Sequence, residues 1–198
     1  TGSKRLMSIF WTLRNLLAQQ SEKPKQYNVI QRFFGSQNMW KNFVSTHIQP
    51  HQPTIILDIG CGGGLLAGIA TAMAATSPDT KIYGSEPHEF DDLKRSIETG
   101  TRQENEKLVG SICDAIMTAT PGELTWSVLQ RLATGSLTVS DEEVLHAMAA
   151  AFHFFKITVE PGGASALAAI LSGRLDIKGK VVVVVCSGGN ADPITFGK

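Results

Sequence analysis

Seven consecutive residues, Asp58-Ile59-Gly60-Cys61-Gly62-Gly63-Gly64, carry the strongest chemical signal in the sequence. Glycines let a chain turn sharply and let a ligand approach main-chain N–H groups. A helix starting directly after such a loop favours an anion at its first turn. The same residues would also suit a tight strand-to-helix turn that binds nothing. Cys61 stands at that helix start, where a thiol pKa falls, but no partner base accompanies it in the sequence, so it reads as a junction residue. His146 and His153 lie seven apart, while His47, His51 and His88 are scattered. None forms the i, i+4 pair of a helical metal site, so core or surface roles suit them better.

The elements around the loop follow from the hydrophobic pattern. Thr54-Ile55-Ile56-Leu57-Asp58-Ile59 is a β-branched run that predicts a buried strand. An alanine-rich helix is expected over 65–76, a strand over 81–85, a helix over 91–99 and another over 121–133, opened by Pro121. Residues 108–117 fit no single pattern. Leu137-Thr138-Val139 reads as a strand stub, and Ser140-Asp141-Glu142-Glu143 as a capping box before a helix over 144–155. Pro161 opens a further helix to Leu171, and Val181 to Val185 predicts a strand ending in the turn Ser187-Gly188-Gly189-Asn190. Strands alternating with helices predict an α/β fold. It is expected as a Rossmann-like three-layer sandwich, a mostly parallel sheet with helices on both faces.

Residues 1–53 are of another kind. They hold 7 of the 14 aromatic residues and 7 of the 9 glutamines, but 2 of the 19 glycines and one alanine, Ala18. Leu6, Ile9, Phe10, Leu13, Leu16 and Leu17 recur at helical spacing over 4–20. Shorter helices are expected around Tyr27 to Phe34 and from Ser36 through Met39, Trp40, Phe43 and Val44. These form an expected N-terminal helical cap on a single domain spanning 1–198.

The charge balance of 18 basic against 18 acidic side chains leaves no basic footprint for nucleic acid or an acidic membrane. No apolar run approaches the roughly 20 residues that span a bilayer. Cys61, Cys113 and Cys186 make no CxxC pair and no even framework, which reads as a reducing, cytoplasmic protein. The expected partners therefore include neither nucleic acid nor membrane. A homodimer through exposed apolar surface is the expected association.

Two family resemblances meet at the loop. YNVIQRFFG followed by ILDIGCGGG, over about 27–64, resembles the start of a class I S-adenosylmethionine-dependent methyltransferase. Asp58, Gly60, Gly62 and Gly64 match the first motif of that family. The resemblance implies that Glu86 holds the cofactor ribose and that Asp114 mimics an acidic residue near the adenine. Residues 61–198 are similar to the C-terminal part of a threonine/serine dehydratase, one of the fold type II pyridoxal-phosphate enzymes. CGGGLLAGIATAMAATSPDTKIYGSEP, TPGEL, LTVSDEEV, VEPGGASALAAILSGRL and VVVVVCSGGNADP carry this likeness in order. It implies that Gly62, Gly63 and Gly64 cradle the cofactor phosphate, with Cys61 in place of a first glycine. It also implies that Ser187 bonds the pyridine nitrogen and that Glu160 lies near the ring. In some members Mg²⁺ or Ca²⁺ is bound by residues matching Glu86, the Phe90 carbonyl and Asp92, a donor set that suits a hard cation.

The dehydratase family carries its reactive lysine in an S-x-K-x-R-G segment and grips substrate with an SSGNHAQG-type segment. Neither is among these 198 residues. Because the likeness switches inside the shared loop, the sequence reads as an engineered chimera. Residues 1–60 would be methyltransferase-derived and 61–198 dehydratase-derived, with Thr1-Gly2-Ser3 as a cleavage scar. The resulting expectation is a scaffold that needs no cofactor and catalyses nothing. Two alternatives stand beside it. One is residual binding of S-adenosylmethionine, S-adenosylhomocysteine or pyridoxal phosphate without a Schiff base; the other is a threonine/serine ammonia-lyase fragment.

Overall fold

The computed structural model describes residues 54–58 and 63–197. All of them fall within the unit Pro50–Lys198. The expected helical cap over 1–53, and Gly60, Cys61 and Gly62 of the loop, lie outside the described residues.

The β-branched run forms β1 (Thr54–Asp58), and α1 (Gly64–Thr76) follows the loop. Then come β2 (Lys81–Pro87) and α2 (Asp92–Thr99). Residues 100–122 form a long connection whose regular structure is one 3₁₀ turn, Asp114–Ile116. After it come α3 (Glu123–Leu132), β3 (Gly135–Val139), α4 (Asp141–Ala150), α5 (Pro161–Leu171), β4 (Val181–Val184) and the short α6 (Pro193–Phe196).

The four described strands pair in parallel in the order β3-β2-β1-β4. Parallel neighbours require crossover connections, which the intervening helices provide. Ile55 of β1 stands in register with Lys81 on one side and Val182 on the other. From β1 the chain steps outward through β2 to β3, then returns to the opposite side of β1 as β4. The order therefore reverses between β1 and β4, where open α/β sheets form a ligand crevice beyond the strand carboxyl ends.

Side-chain alternation gives the sheet two buried faces. Ile55, Tyr83, Leu137, Val182 and Val184 pack with Val144, Ala147 and Met148 of α4 and with Ala164 to Ala169 of α5. On the other face Gly84 is bare. Leu66 of α1 and Leu93 of α2 come within 3.2 and 3.0 Å of where its Cβ would stand. The parallel α/β expectation thus holds, with local differences. Strand β2 runs on to Pro87. Helix α3 begins at Glu123 rather than at Pro121. The helix expected over 144–155 starts at Asp141 and loses α geometry after Ala150, widening to a π turn over Ala151–Phe155. Its buried stripe, Val144, Ala147, Met148 and Ala151, ends there, and the aromatic residues beyond it point away from the core. Among the described residues no helix is long and apolar enough to cross a membrane.

Candidate functional site

Two loops meet beyond the carboxyl ends of β1 and β4. The first enters α1 through Gly63, whose φ of +78° is left-handed and favours glycine. Nothing stands within 4 Å of the Cβ position of Gly64, so the first turn of α1 is open there. The second loop leaves β4 through Cys186 and Ser187. Between them is a recess of about 270 Å³ lined by Leu65, Ala115, Ile116, Glu160, Gly162, Gly163 and Ser187. That is near the lower end of ordinary small-molecule sites, about 300 Å³.

The recess wall depends on close backbone contact. Pro161 sits in the first turn of α5, where a missing N–H costs nothing, and two glycines follow it. A side chain at Gly163 would collide with the Ser187 carbonyl, so only glycine lets the β4 loop lie against α5. Gly188, at φ +75°, lies flat against the Glu160 carboxyl group, again leaving no room for a Cβ. The Glu160 N–H donates to the Gly188 carbonyl at 3.3 Å, and the Asn190 N–H donates to Glu160 Oε2 at 3.0 Å. Ser187 is half-buried and borders the recess. An open helix start, which favours an anion, thus stands across the recess from Ser187 and the Glu160 carboxylate.

The structure places Glu160 and Ser187 on the recess with Leu65 of the first turn of α1, whereas Gly63 lines the cavity that also holds Glu86. Glu86 lines a separate cavity of about 20 Å³ with Asp92, Ser85 and Thr118. Its Oε1 accepts the Leu93 N–H at 2.8 Å, and its Oε2 accepts the Lys94 N–H at 3.0 Å and the Ser136 hydroxyl at 2.7 Å. The carboxyl group thus caps α2 from the end of β2. Burial raises its pKa to about 8, outweighing these donors, and the nearby Asp92 adds to the rise. Burial also raises the pKa of Asp92, against donors from Asn105 at 2.6 Å and Thr118 at 3.3 Å.

Each carboxylate oxygen of Glu86 and Asp92 thus accepts at least one donor of the chain. The Phe90 side chain is packed in the core, while the donor implied at that residue is its carbonyl. Among the described residues no group of three or more His, Cys, Asp or Glu is placed to hold a metal ion. Glu86 is likewise enclosed rather than offered to a ribose. Asp58 is described only as the last residue of β1, and Asp114 is exposed at the 3₁₀ turn.

A family model described as pyridoxal-phosphate dependent enzyme matches residues 16–188. The chain belongs to the pyridoxal-phosphate dependent enzyme family. Its relatives there include the L-threonine dehydratase catabolic TdcB of Staphylococcus aureus (strain N315). That protein is 38% identical over 142 residues, covering 70% of this chain and 40% of the relative. The L-threonine ammonia-lyase of Thermotoga maritima is 31% identical over 143 residues, 72% of this chain and 35% of its own. Among solved structures, a T.th. threonine deaminase superposes with a TM-score of 0.67 at 40% identity, covering 71% of this chain and 51% of that one. Serine racemase from Dictyostelium discoideum gives 0.65 at 34%, covering 73% and 46%. The chain thus spans less than half the length of these curated relatives.

The bounds of the pyridoxal-phosphate family match, residues 16–188, lie on both sides of the composition change near residue 53 and of the glycine loop. The match supports the dehydratase part of the sequence reading and lends nothing to a methyltransferase part or a junction between two ancestries.

Several residues that shape the site carried no function in the sequence reading. Gly163 and Asn190 matter through backbone contacts that form only when α5 meets the β4 loop. The Gly162-Gly163 pair after Pro161 was the available signal, because adjacent glycines at a helix start mark close approach. Ala115 and Ile116 reach the recess from the long 100–122 connection, whose pattern gave no element.

Proposed function

We propose that this chain carries the cofactor-holding part of a pyridoxal-phosphate enzyme acting on threonine or serine, of the ammonia-lyase class. The observation that carries the reading is the recess at the β1/β4 switch point, where Ser187 and Glu160 stand across from the first turn of α1. In this reading the N–H groups around Gly63 and Gly64, with Gly62, hold the phosphate. The Ser187 hydroxyl bonds the pyridine nitrogen, and Gly162 and Ile116 form the floor against the ring. When bound, the cofactor serves as an electron sink for charge released at the substrate α-carbon.

Turnover also needs a lysine amine to bond the cofactor and move a proton. The segment that supplies it in the family is not among the 198 residues. Cofactor held without a covalent link is therefore the outcome expected of these residues alone.

Titration of the purified protein with pyridoxal phosphate, followed by cofactor absorbance and by melting temperature, tests the reading. Saturable binding that Ser187→Ala weakens supports it, and no binding at high cofactor ends it. Borohydride reduction and keto-acid assays with threonine and serine then decide turnover. A single trapped lysine with keto-acid release would show a working centre and overturn the expectation of silence.

We propose in addition that copies of the chain associate through the apolar stretch after α4. Phe152, Phe154, Phe155 and Ile157 are all exposed, Phe154 to 71%. Phe152 packs edge-on against Phe196 at 5.3 Å between ring centres. Exposed apolar clusters of this kind mark association surfaces. Sedimentation should show self-association that Phe154→Ser with Phe155→Ser removes; a monomer at all concentrations would refute it.

A further inference from the structure

We propose that Glu160 is a positioning residue, acting as a strap that holds the 187–190 turn so that Ser187 faces the recess. Three contacts converge on it. Its backbone N–H donates to the Gly188 carbonyl at 3.3 Å, its Oε2 accepts the Asn190 N–H at 3.0 Å, and its carboxyl group lies against the bare Cα of Gly188. The turn leaves β4 with exposed residues at Gly188, Gly189 and Asn190, so little burial fixes its path. Gly188 and Gly189 add backbone freedom that must be restrained from outside.

Glu160 is well placed to supply that restraint because it is itself fixed. It is the N-cap residue of α5, its carbonyl accepts the Ala164 N–H at 3.0 Å, and the first turn of α5 is buried from Pro161 onward. The strap therefore ties the least supported loop at the crevice to one of the most buried helices. The Gly163 contact with the Ser187 carbonyl sets how closely the loop approaches, and Glu160 sets its direction. Nothing in this account requires Glu160 to touch the cofactor.

The proposal rests on reading the recess as a cofactor site, but its first measurement does not. In the ligand-free full chain, hydrogen exchange at the Asn190 amide should accelerate roughly tenfold in Glu160→Ala, the loss expected for a hydrogen bond to a charged acceptor. Glu160→Gln keeps an amide oxygen as acceptor and should restore most of the protection. Pyridoxal-phosphate affinity should follow the same order, with the alanine variant weakest.

Asn190→Pro deletes the donor and leaves Glu160 in place, so it carries the test if Glu160→Ala does not fold. It should loosen Ser187 to Gly189 as Glu160→Ala does, and the double variant should be no worse than either single. Unchanged exchange in a folded Glu160→Ala, a glutamine variant no better than alanine, or fully additive effects would each overturn the proposal. Altered exchange in a protein that never binds the cofactor would instead spare the strap and remove the cofactor reading.

Discussion

The Ser136 hydroxyl of β3 donates to Glu86 Oε2 of β2 at 2.7 Å, with both side chains shut away from water. The bond joins neighbouring strands at the point where β2 hands over to α2. The fold thereby holds an acidic group where its charge is poorly solvated, and the protonated form gains. With a folded pKa of about 8 against an ordinary value of 4.5, the stability from this group is complete below about pH 4.5. It is lost as pH rises through about 8. Asp92, also raised, acts in the same direction. The melting temperature should fall between pH 5 and pH 9, by an amount equivalent to a few kcal/mol. Glu86→Gln should flatten that profile, while starting lower at pH 5 because an amide cannot satisfy all three donors. A flat wild-type profile would remove this account of the site.

The same pair bears on divalent cations. Both oxygens of Glu86 and both of Asp92 already accept N–H or O–H donors of the chain. A cation would compete with these donors for the same oxygens, three of whose bonds set the start of α2 and its tie to β3. Millimolar Mg²⁺ or Ca²⁺, and equally a chelator, should leave the melting temperature unchanged. A cation-dependent rise abolished by Asp92→Asn would contradict this and restore the ligand set that the family resemblance implies.

Helix α4 begins with a reciprocal cap. The Glu143 N–H donates to Ser140 Oγ at 3.2 Å, and the Ser140 N–H donates to Glu143 Oε2 at 2.8 Å. Arg174, after α5, adds a bond to Glu143 Oε1 at 2.6 Å. Burial works against the Glu143 charge, but the Ser140 N–H and the Arg174 guanidinium outweigh it and hold the pKa below its ordinary value. Ser140→Ala removes one half of the box and should cost about 1 kcal/mol in denaturant unfolding. Loss of less than a few tenths would mean that packing alone starts the helix.

What was legible in the sequence is what local chemistry decides. The Ser140-to-Glu143 box, Pro161 in the first turn of α5 and the β-branched runs of β1 and β4 need only their near neighbours. The first turn of α1 and Ser187 are each legible locally, but their sharing of one recess depends on β4 pairing with β1 rather than extending the sheet beyond β3. Long-range contacts escaped for the same reason. Ser136 is an ordinary strand serine until Glu86 stands beside it. Asn105 is an ordinary loop residue until it bridges Asp92 and the Thr118 carbonyl at 2.6 and 2.8 Å. The π turn over Ala151–Phe155 is not marked in the sequence, because the apolar residues continue past Ala150 without a helix-breaking signal.

Two glycine-to-alanine changes should move stability in opposite directions. Gly68 is exposed in the middle of α1 with nothing within 4 Å of its Cβ position. Alanine there lowers the entropy of the unfolded chain and should stabilise by about 0.5–1 kcal/mol. Gly163 is also helical, but its Cβ would strike the Ser187 carbonyl and press on Val159. The first of these atoms is backbone and cannot turn aside as a side chain would. Gly163→Ala should therefore cost about 2–3 kcal/mol and displace the Ser187 wall of the recess. Urea unfolding of both variants separates the two effects, and cofactor titration shows whether the wall moves. If Gly163→Ala were as stable as the parent and bound pyridoxal phosphate equally well, the close approach of α5 to the β4 loop could not be what shapes the site.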